Sequence, residues 1–356
     1  MQKQTKNRIF GLDILRSLAI IIVVLGHSEF PFIKDFLKLP LPDGVDLFFV
    51  LSGFLVGSII IKDIEKNKKY EFKQVSNFLK RRWYRTLPNY FLFLLINIIL
   101  INFGLIKGVL NKYLITFFVF FQNFFKPFDF LFWESWSLSV EEWFYLSFPI
   151  IIFILFTLTK FKIKKKNIVL TSIFIIIIFP FLFRLYKAYS YPHLDFDLYF
   201  RKLVLTRLDT IGFGILGAYI NFYHQSFWNK FKNYFFVLGI SLLSFLIVHK
   251  FSGFFLKTFY YSLIGLSILF VLPILQNLKN ETIPFNPIRF ISKISYSMYL
   301  LHLPLMYIFI QNFPVSNKLE SLIIYICFWL VLILFSFLIY NFYEKPLMDL
   351  RDKNKK

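Results

Sequence analysis

The sequence has little cysteine and few acidic side chains. Its single cysteine, Cys327, excludes an intrachain disulfide, and its place in a late apolar run predicts a thiol that faces lipid or packs against a helix. Asp and Glu number 20 against 41 Lys and Arg, so the net charge is +21. A strand-to-helix glycine motif for nucleotides is also missing, so Gly212, Gly214 and Gly217 are expected to permit close helix packing.

Apolar residues, by contrast, dominate the chain. They make up 57% of the 356 residues, include 52 Phe, and form runs that approach the roughly 20 residues needed to cross a bilayer. This pattern predicts an all-α, polytopic membrane protein rather than a soluble domain. The first run follows basic residues, as in a signal peptide, but Asp13 and Arg16 interrupt it, so it is expected to stay in the protein as a helix.

Eleven apolar runs are candidate membrane spans, and one of them is short. The runs cover 12–28, 44–61, 87–106, 113–125, 138–158, 168–186, 203–222, 234–249, 258–276, 294–312 and 321–343. The 113–125 run is too short for an ordinary span and is typical of a re-entrant or interfacial segment. Without it, the loops on the side of the N-terminus carry a clear excess of Lys and Arg, whereas eleven spans would divide the basic residues evenly.

The charge pattern therefore predicts ten spans with both termini in the cytoplasm. Residues 107–137 are predicted to form an outer re-entrant or interfacial loop, and 345–356 a basic cytoplasmic tail. The whole chain, 1–356, is predicted to be a single membrane domain. The basic excess follows from this topology and requires no nucleic-acid partner.

Ionisable side chains within a span are costly and often mark function. Arg16 and His27 in the first predicted span are eleven residues apart, about three helical turns or ~16 Å, so they lie on one face together with Asp13. This spacing predicts Arg16 near the cytoplasmic side and His27 in the outer half of the membrane. The alternative is that Asp13 and Arg16 pair at the interface and that His27 only ends the helix.

Carboxylates on other predicted spans begin at the same level as His27. Asp46 opens the second span, and Ser137, Glu141 and Tyr145 form a stripe that enters the fourth. A carboxylate beside an imidazole would fix its tautomer and stabilise its protonated form, which suits general-base chemistry on a hydroxyl group. The sequence leaves open which carboxylate does so.

Two further helices carry polar residues within predicted spans. Ser295, Tyr299 and His302 share one helix face, and His302 is either a packed or a catalytic residue. Arg207 and Asp209 are two positions apart and do not face each other, so each is expected to have a partner on another helix.

A basic cluster precedes the third predicted span. It contains Arg81, Arg82 and Arg85, and Arg82 and Arg85 share a face of a helical turn on which they can clamp a phosphate. The alternative is an ordinary positive-inside cluster that contacts lipid headgroups.

Five motifs in order make the chain resemble the acyltransferase-3 family of membrane acyltransferases, from about Arg8 to Pro346. They are 12–16 leading to 26–27, 44–54, the Arg82 and Arg85 pair, 136–142 with 144–145, and 295–302. Each motif alone is weak, but five in this order are specific. The resemblance implies ten transmembrane helices in a multi-pass protein of the cell (inner) membrane.

The resemblance also implies an activity and its residues. It implies an acyl-CoA donor from the cytosol, with acetyl-CoA preferred, and transfer to a hydroxyl of a surface or exported carbohydrate. His27 and Arg16 become the leading catalytic pair; Glu141 and Asp46, selected above by their level in the predicted spans, are the further catalytic candidates. Arg82 and Arg85, beside Arg81, become the site for the donor's phosphates. No permanently bound cofactor and no metal are expected.

Two departures from the family pattern stand out. Trp143 occupies a position where the family often has Gln, which is expected to bear on the acceptor pocket. The SGNH-type esterase domain that is fused to some members has no counterpart in this sequence. A standalone form is therefore expected, which completes the transfer itself or passes the acyl group to a separate glycan-assembly partner.

The resulting hypothesis brings the thioester near His27, which deprotonates the acceptor hydroxyl or carries the acyl group transiently. Tyr145, His302 or an inward arginine are candidates to stabilise the oxyanion. The rival hypothesis is a transporter or flippase of a glycan or lipid-linked intermediate. It is disfavoured because no matching pair of Gly/Pro-interrupted spans appears in two halves of the sequence.

Overall fold

The computed structural model describes residues 8–33, 41–128, 131–278 and 286–353, and this part of the chain is helical, without a β-strand. Its α-helices are α1 Phe10–Gly26, α2 Gly44–Lys66, α3 Phe72–Asn102, α4 Leu114–Phe118, α5 Ser135–Leu158, α6 Lys165–Ser190, α7 Leu208–Tyr223, α8 Gln225–Lys230, α9 Lys232–Val248, α10 Gly253–Thr258, α11 Tyr260–Asn277, α12 Pro287–Asn312, α13 Lys318–Ile339 and α14 Lys345–Lys353. Two π-helical turns, Asp197–Arg201 and Tyr340–Glu344, and a 3₁₀ turn, Val204–Thr206, interrupt this series.

Six helices in the described residues are long and apolar enough to cross a membrane. They are α2, α3, α5, α6, α11 and the continuous helical segment Lys318–Leu350. The other four predicted spans also contain helices: α1, α7 and α9 have 16 or 17 residues, and α12 has 26 residues but many polar side chains. The chain is thus a multi-pass helical protein, and the count of ten spans stays a prediction.

The segment 107–137 folds against the helices without a long helix of its own in its described residues. The 113–125 run forms only the five-residue helix α4. The Tyr90 hydroxyl donates to the Phe117 carbonyl at 2.8 Å, and the Trp143 indole donates to the Phe120 carbonyl at 2.8 Å. Asn123 donates to two carbonyls of neighbouring segments at 2.9 and 2.6 Å. These bonds fasten the segment to α3 and α5.

Close helix packing depends on glycine, as the sequence predicts. A Cβ atom on Gly214 of α7 would lie 2.0 Å from the Val50 carbonyl oxygen of α2. One on Gly53 of α2 would lie 2.0 Å from the Ile211 oxygen of α7. The backbones of α2 and α7 therefore touch, and the packing role predicted for Gly214 is confirmed. This contact fixes the ends of α2 and α7, which carry residues of the site.

Candidate active site

Two cavities lie along α1, about three turns apart. The arginine cavity has a volume of about 110 Å³ and is lined by residues of five helices, among them Arg16, Ser52, Arg82, Arg85, Glu141, Tyr145, Ser295 and Tyr299. The histidine cavity has a volume of about 390 Å³ and is lined by Gly26, His27, Asp43, Asp46, Phe196, Arg201, Tyr260 and Tyr261, among others. One helix therefore contributes Arg16 to the first cavity and His27 to the second.

Three arginines face the arginine cavity from two helices. Arg16 comes from α1, and Arg82 and Arg85 from one face of α3. The Arg82 guanidinium lies over the Tyr145 ring, 4.1 Å from its centroid, and its Nε atom is buried without a hydrogen-bond partner. Arg81 is exposed and is not among the lining residues. Of the three predicted donor-site arginines, the structure thus brings two to this cavity, together with Arg16.

Glu141 lies in the arginine cavity rather than beside His27. Its Oε2 atom accepts a hydrogen bond from the Tyr145 hydroxyl at 3.0 Å, and that hydroxyl is 2.6 Å from the Ser52 hydroxyl. Glu141 is the seventh residue of α5 and lies at the depth of Arg16, about three turns of α1 away from His27. For this reason the predicted proximity of Glu141 to His27 is wrong.

Asp46 likewise pairs with a residue other than His27. Its carboxylate accepts from the buried Arg207 guanidinium of the turn before α7, which lies 3.5 Å from the centroid of the Tyr261 ring. On the same helix, Asp209 forms a bidentate pair with Arg184 of α6 at 2.8 and 2.6 Å. The prediction that Arg207 and Asp209 pair with other helices is confirmed. Asp46, however, makes no hydrogen bond to His27 in the described residues.

His27 is bonded to a second histidine, not to a carboxylate. The His302 Nδ1 atom is 2.6 Å from the Tyr299 carbonyl oxygen, which can only accept, so Nδ1–H is the donor there. Neutral His302 therefore presents a bare Nε2, which is 3.2 Å from His27 Nδ1. His27 Nδ1–H also faces the Val23 carbonyl at 2.9 Å. This arrangement leaves His27 Nε2 unprotonated and able to accept a proton.

Asp43, which sequence reasoning missed, is a second carboxylate that lines the histidine cavity, beside Asp46. It caps α2, because its Oδ1 accepts from the Val45 N–H at 2.9 Å, and its Oδ2 accepts from Arg201 at 3.0 and 2.6 Å. Burial raises the pKa of Asp43, but the Arg201 guanidinium outweighs burial and holds that pKa below its usual value. Asp43 directly precedes the glycine that begins the second apolar run, and this position could have identified it as a helix cap from the sequence.

A charged network continues from Asp43 along one wall. Arg201 also donates to Asp197 at 2.7 Å, and Lys202 bonds the other oxygen of Asp197. The Lys202 ammonium lies over the Trp133 ring, 4.0 Å from its centroid. Burial raises the pKa of Asp197, but these two cationic donors hold it below its usual value. Two carboxylates and two basic groups thus neutralise one another along this wall.

Phe48 and Tyr299 form an aromatic pair at the arginine cavity. The rings of Phe48 and Tyr299 both line the arginine cavity and meet edge to face, with centroids 6.3 Å apart. The Tyr299 hydroxyl is 2.6 Å from the Ser137 hydroxyl and 3.0 Å from the Glu134 carbonyl oxygen. The backbone of Tyr299 holds His302. This residue therefore faces the arginine cavity with its ring and the histidine pair with its carbonyl group.

The remaining predicted residues have other surroundings. Asp13 pairs with Arg8 and accepts from the Ser292 hydroxyl at 2.7 Å, so the alternative in which Asp13 pairs with Arg16 is wrong. Trp143 lines an apolar groove between α5 and α6, outside both cavities, and its expected effect on an acceptor pocket stays a prediction. In the described residues, no cluster of three or more His, Cys, Asp and Glu could hold a metal ion.

Comparisons with known proteins agree with the motifs. A family model described as "Acyltransferase domain" matches residues 9–341. The O-acetyltransferase OatA of Staphylococcus aureus is 28% identical over 95% of this chain and 57% of its own length. The peptidoglycan O-acetyltransferase OatA of Listeria monocytogenes is 29% identical over 41% of this chain and 24% of its own length.

A further relative, from Staphylococcus aureus (strain COL), is 27% identical over 94% of this chain and 56% of its own length. The chain thus spans about half the length of the curated relatives that it matches over most of its residues. No solved structure shows a significant match to it.

Proposed function

Because this chain belongs to the acyltransferase-3 family, we propose that it is a membrane O-acetyltransferase that acts on a carbohydrate hydroxyl. The observation that carries this proposal is the state of His27. Its Nδ1–H is held by His302 and the Val23 carbonyl, and its free Nε2 belongs to a side chain that lines a cavity large enough for part of a sugar. A positioned, unprotonated imidazole is the usual general base for a hydroxyl group.

The donor in this proposal is acetyl-CoA, bound on the cytoplasmic side through the arginine cavity. Arg16, Arg82 and Arg85 form no ion pair in the described residues, so their guanidinium groups are available to phosphate oxygens. Arg85 is exposed, so the cavity opens to solvent at this residue. The cavity itself has room for the acyl end of the donor, while the phosphates stay near its mouth.

The acceptor in this proposal enters the histidine cavity from the outer side. Tyr260, Tyr261 and Phe196 supply aromatic faces there, and Asp43 with Arg201 supplies hydrogen-bonding groups. The Phe196 and Tyr261 rings are parallel and stack on each other, with centroids 5.5 Å apart, and the Arg207 guanidinium also lies over the Tyr261 ring. Apolar sugar faces pack on such rings, while the hydroxyl groups bond to the charged wall.

The chemical step then follows from the tautomer of His27. Its Nε2 takes the proton of the acceptor hydroxyl, and the hydroxyl oxygen attacks the thioester carbonyl carbon. The carbon–sulfur bond breaks, and the CoA thiolate leaves with the proton that the imidazolium returns. His302 accepts from Nδ1–H throughout and so stabilises the imidazolium. The two cavities share no lining residue, so the acyl end of the donor has to pass from the arginine cavity to the histidine cavity for this step.

A substitution of His27 tests this proposal. His27→Ala is expected to lower the rate of carbohydrate O-acetylation by about 10²- to 10⁴-fold, the usual contribution of a general base. His193→Ala is the matched control, because His193 is exposed and lines neither cavity. Mass spectrometry of surface glycans measures acetyl groups in cells that express each variant at equal membrane levels. Wild-type acetylation by His27→Ala would refute the proposal.

A further inference from the structure

Carboxylates surround the arginine cavity, yet none of them pairs with its arginines in the described residues. Glu141 and Glu142 act electrostatically on Arg82, and Glu344 acts on Arg85 and Arg16. In a partly dry site such opposite charges attract strongly. Something in the structure therefore keeps each carboxylate away from the guanidinium groups.

Neutral hydrogen-bond donors hold all three carboxylates. The Tyr145 hydroxyl donates to Glu141 at 3.0 Å, and the Thr86 hydroxyl donates to Glu142 at 2.7 Å. Glu344 accepts two such bonds, from the Asn89 amide at 3.0 Å and the Ser297 hydroxyl at 2.9 Å. Each acid is thereby satisfied, at least in part, without an arginine.

The Glu344 arrangement is the most completely built of the three. Glu344 ends the π-helical turn after α13 and is 5% exposed, while Asn89 and Ser297 are 1% and 0% exposed. Both donors bond the same oxygen, Oε2. Asn89 lies four residues after Arg85 on α3, so the two share one helix face. The carboxylate is therefore anchored about one helical turn from an arginine that it does not bind.

We propose that Asn89 and Ser297 are positioning residues of the donor site: they hold the Glu344 carboxylate away from Arg85 and so leave that guanidinium free for an anionic group of the donor. This inference rests on the proposed role of the arginine cavity. Without the Asn89 amide, Glu344 would lose one of two neutral partners and gain by pairing with Arg85. The ion pair would then compete with the donor for the same guanidinium.

Kinetics of the full-length protein in membranes test this inference with acetyl-CoA as the varied substrate. Asn89→Leu keeps the side-chain size, removes the amide, and is expected to raise the KM for acetyl-CoA about tenfold, with kcat and the acceptor KM unchanged. Adding Glu344→Gln to this variant removes the competing charge and is expected to restore the KM. Asn97→Leu is the matched control, because Asn97 is a buried asparagine of α3 that, among the described residues, donates only to the Phe93 carbonyl.

The possible results distinguish a failure of the positioning role from a failure of the proposed donor site. An unchanged KM in Asn89→Leu, or a raised KM that Glu344→Gln does not restore, would overturn the positioning role. Arg85→Ala tests the donor site independently and is expected to raise the same KM. If Arg85→Ala leaves the KM for acetyl-CoA unchanged, the proposed donor site itself fails.

Discussion

At the scale of single residues, the site depends on which ring nitrogen of His27 carries the proton. The chain of bonds from the Tyr299 carbonyl through His302 to His27 allows only one neutral arrangement, with His27 Nε2 bare. In many hydrolases a carboxylate orients the catalytic imidazole. Here a neutral histidine does so. The imidazolium formed during transfer is therefore stabilised by the hydrogen bond that its Nδ1–H donates to His302.

Removal of His302 should weaken catalysis without weakening substrate binding. We expect His302→Ala to lower kcat about 5- to 10-fold, the effect of losing one hydrogen bond worth about 1 kcal/mol that orients the base. The KM values for acetyl-CoA and acceptor should not change, because His302 lines neither cavity. Steady-state kinetics in membranes separate these parameters.

The conservative variant His302→Gln distinguishes orientation from general packing. Its side-chain carbonyl can accept from His27 Nδ1–H, so kcat should recover most of the loss seen in His302→Ala. An equal loss of kcat in both variants, or a rise in KM in either, would contradict a purely positioning role for His302.

Sequence reasoning located residues relative to each other within one helix better than between helices. The eleven-residue spacing of Arg16 and His27 determines that they share a face, and the structure places them in two cavities along α1. Asp46 lies at the depth of His27 but pairs with Arg207, whereas Glu141 lies at the depth of Arg16 and bonds to Tyr145. Helix rotation depends on contacts between distant segments, which a single sequence does not contain.

At the scale of elements, the contact between α2 and α7 connects packing to the site. Gly53 and Gly214 let the two backbones touch, and the same pair of helices is joined at its ends by Asp46 and Arg207. The buried ion pair needs this close approach, because a charge left alone in the interior is costly. The glycines therefore contribute to the histidine cavity without lining it.

A methyl group at Gly214 should disrupt this contact. Its Cβ would lie 2.0 Å from the Val50 carbonyl oxygen, and backbone atoms cannot move aside as a flexible side chain does. We expect Gly214→Ala to destabilise the protein by about 1–3 kcal/mol or more, as overpacking does in other cores. Thermal unfolding of the purified protein in detergent measures the loss as a lower midpoint.

Gly26→Ala provides the matched control for stability. A Cβ at Gly26 has no atom within 4 Å, and alanine favours a helix over glycine, so the midpoint should stay the same or rise. A Gly214→Ala protein as stable as the wild type would show that α2 and α7 can separate without cost.

Hydropathy located helices but not their full lengths. The third predicted span begins at 87, whereas α3 begins at Phe72 and runs for 31 residues. Its first turns are charged and so carry no apolar run, although they place Arg82 and Arg85 at the arginine cavity. The run at 203–222 likewise begins with the 3₁₀ turn Val204–Thr206 before α7 starts at Leu208. A pattern based on hydrophobicity alone therefore misses the polar first turns of α3 and the tight turn before α7.

At the scale of the whole molecule, the proposal requires two cavities that open to opposite sides of a membrane. Only then can a cytosolic donor and an external carbohydrate meet at one helix. Six helices satisfy the length and composition of a span, whereas α1, α7, α9 and α12 do not meet both criteria. Short or polar helices can cross when neighbours cover their polar groups, as the ion pairs of α7 with α2 and α6 illustrate.

Ten and eleven spans differ in whether the loop after α5 lies in the cytoplasm or outside. With ten spans, Lys126 lies outside and Lys162 in the cytoplasm; with an additional span at 113–125, Lys162 would lie outside. Both lysine side chains are exposed, so cysteines at these positions can react. In a Cys327→Ser background, we expect a membrane-impermeant thiol reagent to label Lys126→Cys in intact cells and Lys162→Cys only after permeabilisation. Labelling of Lys162→Cys in intact cells would mean that every later loop lies on the side opposite to the predicted one. The basic residues would then be divided between both sides of the membrane. The histidine and arginine cavities would then lose the opposite exposures on which transfer across the membrane depends.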